Sequence, residues 1–491
     1  MKILLASSEA HPYSKTGGLA DMVGALAKAL AREGHQVGLV TPLYSGIRER
    51  FPGIKDLNWP LDLPLGAGRA QGEVLGLELS ERLTVYFVHQ PGFYFRPSLY
   101  EQRGVDYSDN ASRFIFLSKA VVQVARKLPW QPDLVHIHDW QVGLVPLLIQ
   151  HEKLLSGWGT APRTCATIHN LSYQGVFPAA DYALTNLPSD YFNPNVAEFY
   201  AHLNCLKAAI ACADVVTTVS PRYAREITTP EFGCGLDGLL RYRQRALIGI
   251  LNGVDYEEWN TTANPNLASP YSAENPDGKL ANKLALQKEF GLPVNESIPL
   301  FGSVSRLVEQ KGVDIQLGAL EEMLGANLQF ILLGSGAPAF EQGYRDLARR
   351  YPTRAAIRIG YDQGLSHRIE AGCDFFLMPS RFEPCGLNQM YSLRYGTVPI
   401  VRVTGGLDDT VIDISEDPES ANGIKFTEYS SRALVKSIRK ALALYAEPEL
   451  LRHYRRNGMT ADFSWDRTAR QYVAIYQQQA TPGAGKPPLF N

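Results

Sequence analysis

Lys15-Thr16-Gly17-Gly18-Leu19 lies between an apolar run at residues 2–7 and a stretch of helical patterning from Leu19 to Glu33 that ends at Gly34. A strand, a lysine-bearing glycine turn and a helix start together suit an anion. Glycines let the backbone come close to a phosphate, the first N–H groups of the helix point at it, and the helix dipole favours negative charge. Lys15 adds a point charge. The spacing is not that of a Walker loop, and the three-glycine dinucleotide pattern is absent. The segment reads as a phosphate cradle of another kind, set against the alternative of an ordinary strand–helix turn.

A second pair of cations lies in Ser305-Arg306-Leu307-Val308-Glu309-Gln310-Lys311-Gly312. Arg306 can grip two oxygens at once and Lys311 acts as a movable charge, so a loop holding both beside a helix start suits a diphosphate. Ser380-Arg381-Phe382-Glu383-Pro384-Cys385-Gly386-Leu387 follows the apolar run 375–378 and opens a helix. Glu383 stands just before that helix, where the amides of Gly386 and Leu387 are candidates to receive an anion. Gly405-Gly406-Leu407 and Gly334-Ser335-Gly336 repeat the small-residue turn. No histidine neighbours Cys385 in sequence, so it reads as a shielded small residue rather than a nucleophile.

Three further runs end in polar groups: Asp139-Trp140, His169-Asn170 and Asn252-Gly253. A carboxylate, an imidazole and amides suit sugar hydroxyls, which both donate and accept. Each alone is equally at home in a turn or cap. Their shared position at the ends of apolar runs points to a site. His136 and His138 alternate on one run without a third ligand, which favours packing over a metal.

Positioning these groups takes a series of strands followed by helices. Residues 2–7, 36–41, 84–88, 133–138, 164–169, 214–220 and 247–251 read as strands in the first half, with helices such as 112–126 and 203–212 between them. A second series has strands at 300–305, 328–333, 356–359, 375–378 and 398–401, and helices near 313–324, 340–350, 367–371 and 387–395. This alternation is the mark of doubly wound α/β domains, whose ligands sit outside the carboxyl ends of the strands. The expected division is a domain at 1–255, a linker at 256–297, a second domain at 298–462, a helix at 463–480 packing back on the first domain, and a mobile tail at 481–491.

At 491 residues the chain is too long for one ordinary core. A net charge of -2 implies no nucleic-acid partner. No stretch approaches the ~20 apolar residues of a membrane span, and the first apolar run is short for a secretory leader. Six cysteines with no C-x-x-C pair imply neither a structural zinc nor a disulfide framework. A reducing, cytoplasmic setting is the expectation.

Taken together, Lys15-Thr16-Gly17-Gly18-Leu19-Ala20-Asp21, His138-Asp139-Trp140, Ile168-His169-Asn170-Leu171, Leu251-Asn252-Gly253-Val254-Asp255, Ser305-Arg306-Leu307 with Gln310-Lys311-Gly312, Gly360-Tyr361, Ser380 to Leu387 and Thr404-Gly405-Gly406-Leu407 resemble bacterial glycogen synthase and plant starch synthase. The resemblance implies an α/β GT-B glycosyltransferase, with two Rossmann-like domains facing across a deep cleft. It implies transfer of glucose from ADP-glucose to the non-reducing end of an α-1,4-glucan, with retention of configuration and with no metal or cofactor. A UDP-glucose-using or other GT-B glycosyltransferase, or a catalytically silent glucan-binding homologue, are the alternatives. A phosphorylase would need a pyridoxal-phosphate lysine whose family pattern is not recognisable here.

The resemblance also implies roles. Arg306 and Lys311 would neutralise the departing diphosphate. Lys15, Gly17, Gly18 and Asp21 would meet the donor from the other domain, with Asn252, Cys385, Gly386 and Leu387 also on the donor and Tyr361 against the adenine. Glu383, His169 and Asp139 would surround the transferred glucose. Tyr100, Trp140 and Asn170 would meet sugar or acceptor. Because Lys15 and Lys311 would need the same phosphates, domain closure around the donor is expected. Retention can run through a covalent intermediate on a carboxylate or by a same-face substitution in which the leaving phosphate takes the acceptor's proton; both stay open. Two positions depart from the pattern. Tyr391 stands where related glycosyltransferases carry a second glutamate, and Asn388 where many bacterial members have threonine.

Overall fold

The first apolar runs become the strands β1 (Lys2–Ala6), β2 (Gln36–Pro42), β3 (Lys55–Leu65), β4 (Gly68–Ser80), β5 (Leu83–His89), β6 (Leu134–His138), β7 (Arg163–Ile168), β8 (Val215–Thr218) and β9 (Leu247–Gly249). In this computed structural model, which describes residues 1–478, they form one nine-stranded sheet in the order β9-β8-β7-β6-β1-β2-β5-β4-β3. From β9 to β5 all neighbours are parallel. β1 and β6 are buried almost throughout, as expected of parallel strands covered on both faces. The helix after β1, Gly18–Arg32, buries Val23, Leu26, Ala27 and Leu30. It stops at Glu33, where Gly34 takes a left-handed φ of 88°, a conformation that favours glycine.

The β3–β4 hairpin was not among the expected strands. It joins the sheet antiparallel to β5, and β3 buries only Leu61 and Leu63. A strand with so few apolar positions, interrupted by Pro60 and Pro64, carries little hydrophobic pattern to read.

The second series gives β10 (Leu300–Leu307), β11 (Gln329–Gly336), β12 (Ala355–Ile359), β13 (Phe375–Met378), β14 (Val398–Arg402) and β15 (Ile424–Phe426). They form a parallel six-stranded sheet in the order β12-β11-β10-β13-β14-β15. Successive residues feed opposite faces. Phe330 and Phe375 join one core cluster, while Ile331 and Phe376 join the other.

The chain divides into two compact units, Met1–Gly253 with the chain from Trp465 onward, and Val254–Ser464. Each carries one of these sheets. The helix Trp465–Gln478 is in the first unit, where Thr468 donates to the Leu251 carbonyl at 3.1 Å and the Tyr476 hydroxyl lies 2.7 Å from His136 Nδ1. The stretch 256–297, expected as a linker, is part of the second unit. It holds the helix Gly278–Glu289, with Tyr271, Leu286 and Leu292 buried. It reads as a connection because much of what that helix buries is polar: Lys279, Asn282, Lys283 and Gln287. The tail at 481–491 lies outside the described residues.

Candidate active site

In the first unit the groups nearest the phosphate-cradle loop are set by β1. The strand runs out into Ser7, Ser8 and Glu9, all buried. The Glu9 carboxylate accepts from the Thr16 amide at 2.5 Å, the Thr16 hydroxyl at 2.6 Å and the Tyr100 hydroxyl at 2.6 Å. Three donors on one carboxylate fix the loop ahead of Gly17. Gly17 is extended, and a Cβ there would meet nothing within 4 Å. The helix start therefore opens onto free space, with no side-chain cap. Lys15 and Asp21 form an ion pair at 2.8 Å, about one-third exposed on each side. Tyr100 is not a free contact for a ligand: its hydroxyl is engaged by Glu9 and lies 2.7 Å from Ser8 Oγ. Burial, then the neighbouring Glu9 charge, hold that phenol well above its usual range.

Asp139 and His169 meet at the carboxyl ends of β6 and β7. Asp139 has a left-handed φ of 62°, a strained backbone for a non-glycine residue. That turn lets its carboxylate accept from the His169 amide at 2.7 Å. Burial pushes the Asp139 carboxyl up to about 7, against the lowering effect of the His169 and Asn170 amides. His169 Nε2 lies 3.1 Å from His138 Nδ1. Burial lowers His169 to about 3, so this imidazole is neutral in ordinary buffers. His136 sits behind, between the Thr167 hydroxyl at 2.6 Å and the Tyr476 hydroxyl at 2.7 Å. The alternating histidines thus divide: His136 packs, while His138 touches a site residue. Trp140 is wedged edge-on against Phe114 and Phe177. Asn170 Oδ1 accepts from the Ser172 amide at 3.1 Å. Asn252 is buried, and its Oδ1 has no hydrogen-bond partner among the described residues.

In the second unit two loops lock together. Gln310 does it: its carbonyl accepts from the Arg381 amide at 2.8 Å and its side chain donates to the Phe382 carbonyl at 3.3 Å. Lys311 then meets Glu383 at 2.5 Å, with Glu383 only 7% exposed. Ser380 donates to the same carboxylate oxygen at 3.1 Å. Gly312 has a φ of 70°, and a Cβ there would lie 2.0 Å from the Pro379 carbonyl oxygen, so the approach of the loops needs glycine. Arg306 is exposed, and its guanidinium has no hydrogen-bond or ion-pair partner among the described residues.

The second glycine turn does a different job from the expected one. The Gly406 amide donates to the carbonyls of Glu383 and Pro384 at 3.2 and 3.1 Å, and a Cβ on Gly405 would lie 1.9 Å from the Glu383 oxygen. Gly405-Gly406 therefore braces the Glu383 loop rather than offering that amide to an anion. The amides of Gly386 and Leu387 donate no hydrogen bond among the described residues. Cys385 is buried and its carbonyl accepts from Gln389 at 3.0 Å. Tyr361, 79% exposed, hydrogen-bonds Gln363 at 2.6 Å and leaves its ring face open.

Residues 2–242 match the family described as Starch synthase catalytic domain, and residues 287–460 match Glycosyl transferases group 1. The chain is 48% identical to a glycogen synthase of Anaeromyxobacter sp. strain Fw109-5, over 98% of this chain and 100% of that one. The chain belongs to the glycogen synthase family. It is also 47% identical to the glycogen synthase of Myxococcus xanthus, over 97% of this chain and 99% of that one. The catalytic domain of starch synthase IV from Arabidopsis thaliana, solved with ADP and acarbose, superposes with a TM-score of 0.88 at 33% identity, covering 97% of this chain and 99% of that one. A sucrose-phosphate synthase from Thermosynechococcus elongatus, 20% identical with a TM-score of 0.60 over 97% and 98% of the two chains, shares the fold. Two Rossmann-like units make this glycogen synthase family member a GT-B glycosyltransferase.

Three residues to which the sequence reading gave no site role belong with the site. Glu9 and His138 orient groups on other segments, and Ser380 shares the Glu383 carboxylate. Glu9 was readable in principle as an acidic residue ending a buried strand. At the two departures from the family pattern, Asn388 donates to the Val304 carbonyl at 2.6 Å, and Tyr391 stacks on Trp259 with centroids 3.6 Å apart and planes 5° apart. The place of the second glutamate is thus filled by an aromatic stack.

Proposed function

We propose that this glycosyltransferase moves glucose from ADP-glucose to the non-reducing end of an α-1,4-glucan, retaining the α configuration. The observation that carries the reading is the Lys311–Glu383 pair at 2.5 Å beside the unpartnered Arg306, in a chain 48% identical to a glycogen synthase. Breaking the glycosyl–phosphate bond leaves negative charge on the departing ADP. Arg306 and Lys311 are the fixed cations that meet it, and the exposed start of the Gly18–Arg32 helix with Lys15 is a further anion-favouring group. In this reading Glu383, paired with Lys311 at 2.5 Å, is the group offered to the oxocarbenium-like carbon, and the Asp139–His169 pair is the polar group that the first unit contributes. Glu383, Asp139 and neutral His169 also supply acceptors and a donor for the glucose hydroxyls.

In this reading Tyr361 offers its open face to the adenine, and Asn252, Cys385, Gly386 and Leu387 line the donor. Gly17 leaves the donor room to approach, while Trp140, Asn170 and the Glu9-bound Tyr100 belong to the sugar and acceptor side. The reaction as proposed uses no resident cofactor or metal. Six cysteines without a disulfide support a reducing, cytoplasmic setting.

The test is glucose incorporation into glycogen from labelled ADP-glucose and UDP-glucose. Transfer from ADP-glucose at the higher kcat/KM is the expected result. Transfer from UDP-glucose alone would overturn the donor assignment, and no transfer from either would overturn the reaction.

A further inference from the structure

Tyr361 stands just beyond β12, and its hydroxyl begins a chain of contacts within the second unit. The hydroxyl donates to Gln363 Oε1 at 2.6 Å, and Gln363 Nε2 donates to Glu258 Oε1 at 2.8 Å. A carboxylate only accepts, so the amide nitrogen of Gln363 must face Glu258. The amide oxygen is then left for the phenol. Glu258 thus sets the direction of both bonds.

Both ends of the chain stand on capped backbone. Asp362 caps the helix Gln363–Gly372 by accepting from the Leu365 amide at 2.8 Å, which fixes Gln363 as its first residue. At the other end, Asp255 Oδ1 accepts from the amides of Glu257 and Glu258 at 2.9 and 3.4 Å. A buried anchor keeps the two segments in register. The ring of Trp259, next to Glu258, has its centroid 4.1 Å from that of His367, and both residues are buried. His367 lies one turn after Gln363, on the same face of that helix. Two pairs therefore join the same two segments: Trp259–His367 inside, and Glu258–Gln363 outside. The inner pair holds the segments together, and the outer pair ends on Tyr361.

We propose that Gln363 and Glu258 are positioning residues for the donor: they hold the Tyr361 ring in the plane on which the adenine stacks. An exposed tyrosine turns about its side-chain torsions, and a base that stacks on it must stop that motion. A ring whose hydroxyl is tied to a fixed carboxylate has lost that freedom beforehand. The gain is the same in the bound donor and in the transition state, so it acts on KM rather than on kcat. This role rests on the adenine contact assigned above to Tyr361.

The test is calorimetric binding of ADP and of inorganic pyrophosphate to the whole protein, beside steady-state glucose transfer. Gln363→Leu should raise the Kd for ADP and the KM for ADP-glucose about three- to tenfold, the size of one hydrogen bond. The kcat, the KM for glycogen and the Kd for pyrophosphate, which has no base, should stay as in wild type. Glu258→Leu should move the same constants in the same direction. Glu258→Gln, whose amide oxygen still accepts, should bind ADP as wild type does. Tyr361→Phe keeps the ring and cuts the link, so combining it with Gln363→Leu should cost no more than either change alone. Additive losses in that pair would overturn the positioning role. So would an ADP affinity unchanged by Gln363→Leu but lost in Tyr361→Ala, which leaves the adenine contact standing. Unchanged ADP affinity in Tyr361→Ala would overturn both. An equal loss of pyrophosphate binding in Gln363→Leu would mark a disturbed site and overturn the role as well. Non-additive losses of ADP binding in a protein that transfers no glucose would uphold the positioning while the proposed reaction falls.

Discussion

Glu383 and Lys311 lie 2.5 Å apart as an ion pair, and this sets what the loss of either should do. Glu383→Gln and Lys311→Ala should each lower kcat by about 10²–10⁴-fold, the range for removing a charged group that acts in the transition state. Circular dichroism should show the fold retained. Lys311→Ala should also lower the melting temperature, because it leaves a carboxylate 7% exposed without its cation. Near-normal turnover in either variant would remove the pair from the chemistry. Asp139 gives a pH test. Its carboxyl rises from 3.8 to about 7 on folding because it is buried. The folded chain therefore binds that proton more tightly, so its contribution to stability is full below about pH 4 and is lost as pH rises through about 7. If the carboxylate is the working form, kcat rises through the same pH. His169, lowered to about 3, stays neutral across this range and does not contribute the limb. Asp139→Asn should flatten the profile near pH 7; an unchanged limb would assign it elsewhere. Lys15, Asp139, His169, Arg306, Lys311 and Glu383 were legible because each follows an apolar run and stands beside glycine or turn residues. Glu9 carried only the signal of an acidic residue ending an apolar run, because its partner Tyr100 lies 91 residues away.

Among the elements, the helix Gly278–Glu289 buries polar side chains that sequence patterning hid. Lys279 donates to the carbonyls of Ala371 and Tyr395 at 3.0 Å each and to the Thr397 hydroxyl at 2.6 Å. The first two carbonyls lie at the ends of the helices Gln363–Gly372 and Asn388–Arg394. The Lys279 amine supplies donors to helix-end acceptors; burial lowers its pKa to about 7, and below that pH its charge also opposes the dipoles. The second of those helices begins next to the Glu383 loop, so this buried lysine supports the element that carries a site residue. Lys279→Met keeps the length of the side chain and leaves buried acceptors unpaired. It should cost about 2–4 kcal/mol, measured as a lower urea midpoint with the slope unchanged. A midpoint equal to wild type would show that water or neighbours replace the ammonium. Parallel strands were legible as continuous apolar runs because both their faces are covered. The β3–β4 hairpin and this helix were not, since one is largely exposed and the other buries lysines and amides whose partners come from distant segments.

At the scale of the molecule, the first unit is built from two separated pieces of chain, whereas the second is continuous. The helix from Trp465 is a structural part of the first unit. Trp465, Tyr472 and Tyr476 are buried; Arg163 donates to the Tyr476 carbonyl; and the Tyr476 hydroxyl meets His136 on β6, the strand that ends just before Asp139. Gly253 has no room for a Cβ, which would lie 2.7 Å from the Trp465 ring. The second unit keeps its own closure, with the Val254 amide donating to the Phe463 carbonyl at 2.7 Å. A chain ending at Ser464 should therefore damage the units unequally. Exposing the three aromatics, at about 1.5–3 kcal/mol each, removes about 5–9 kcal/mol, against a typical domain stability of about 5–15 kcal/mol. Calorimetry on the truncated chain should show the first unit's transition lost or moved far down in temperature, while hydrogen exchange in β10, β11 and β13 stays slow. Equal protection of β1 and β6 in the truncated and full chains would mean that the first sheet does not depend on this helix. Equal loss in both units would mean that the second is not independently stable.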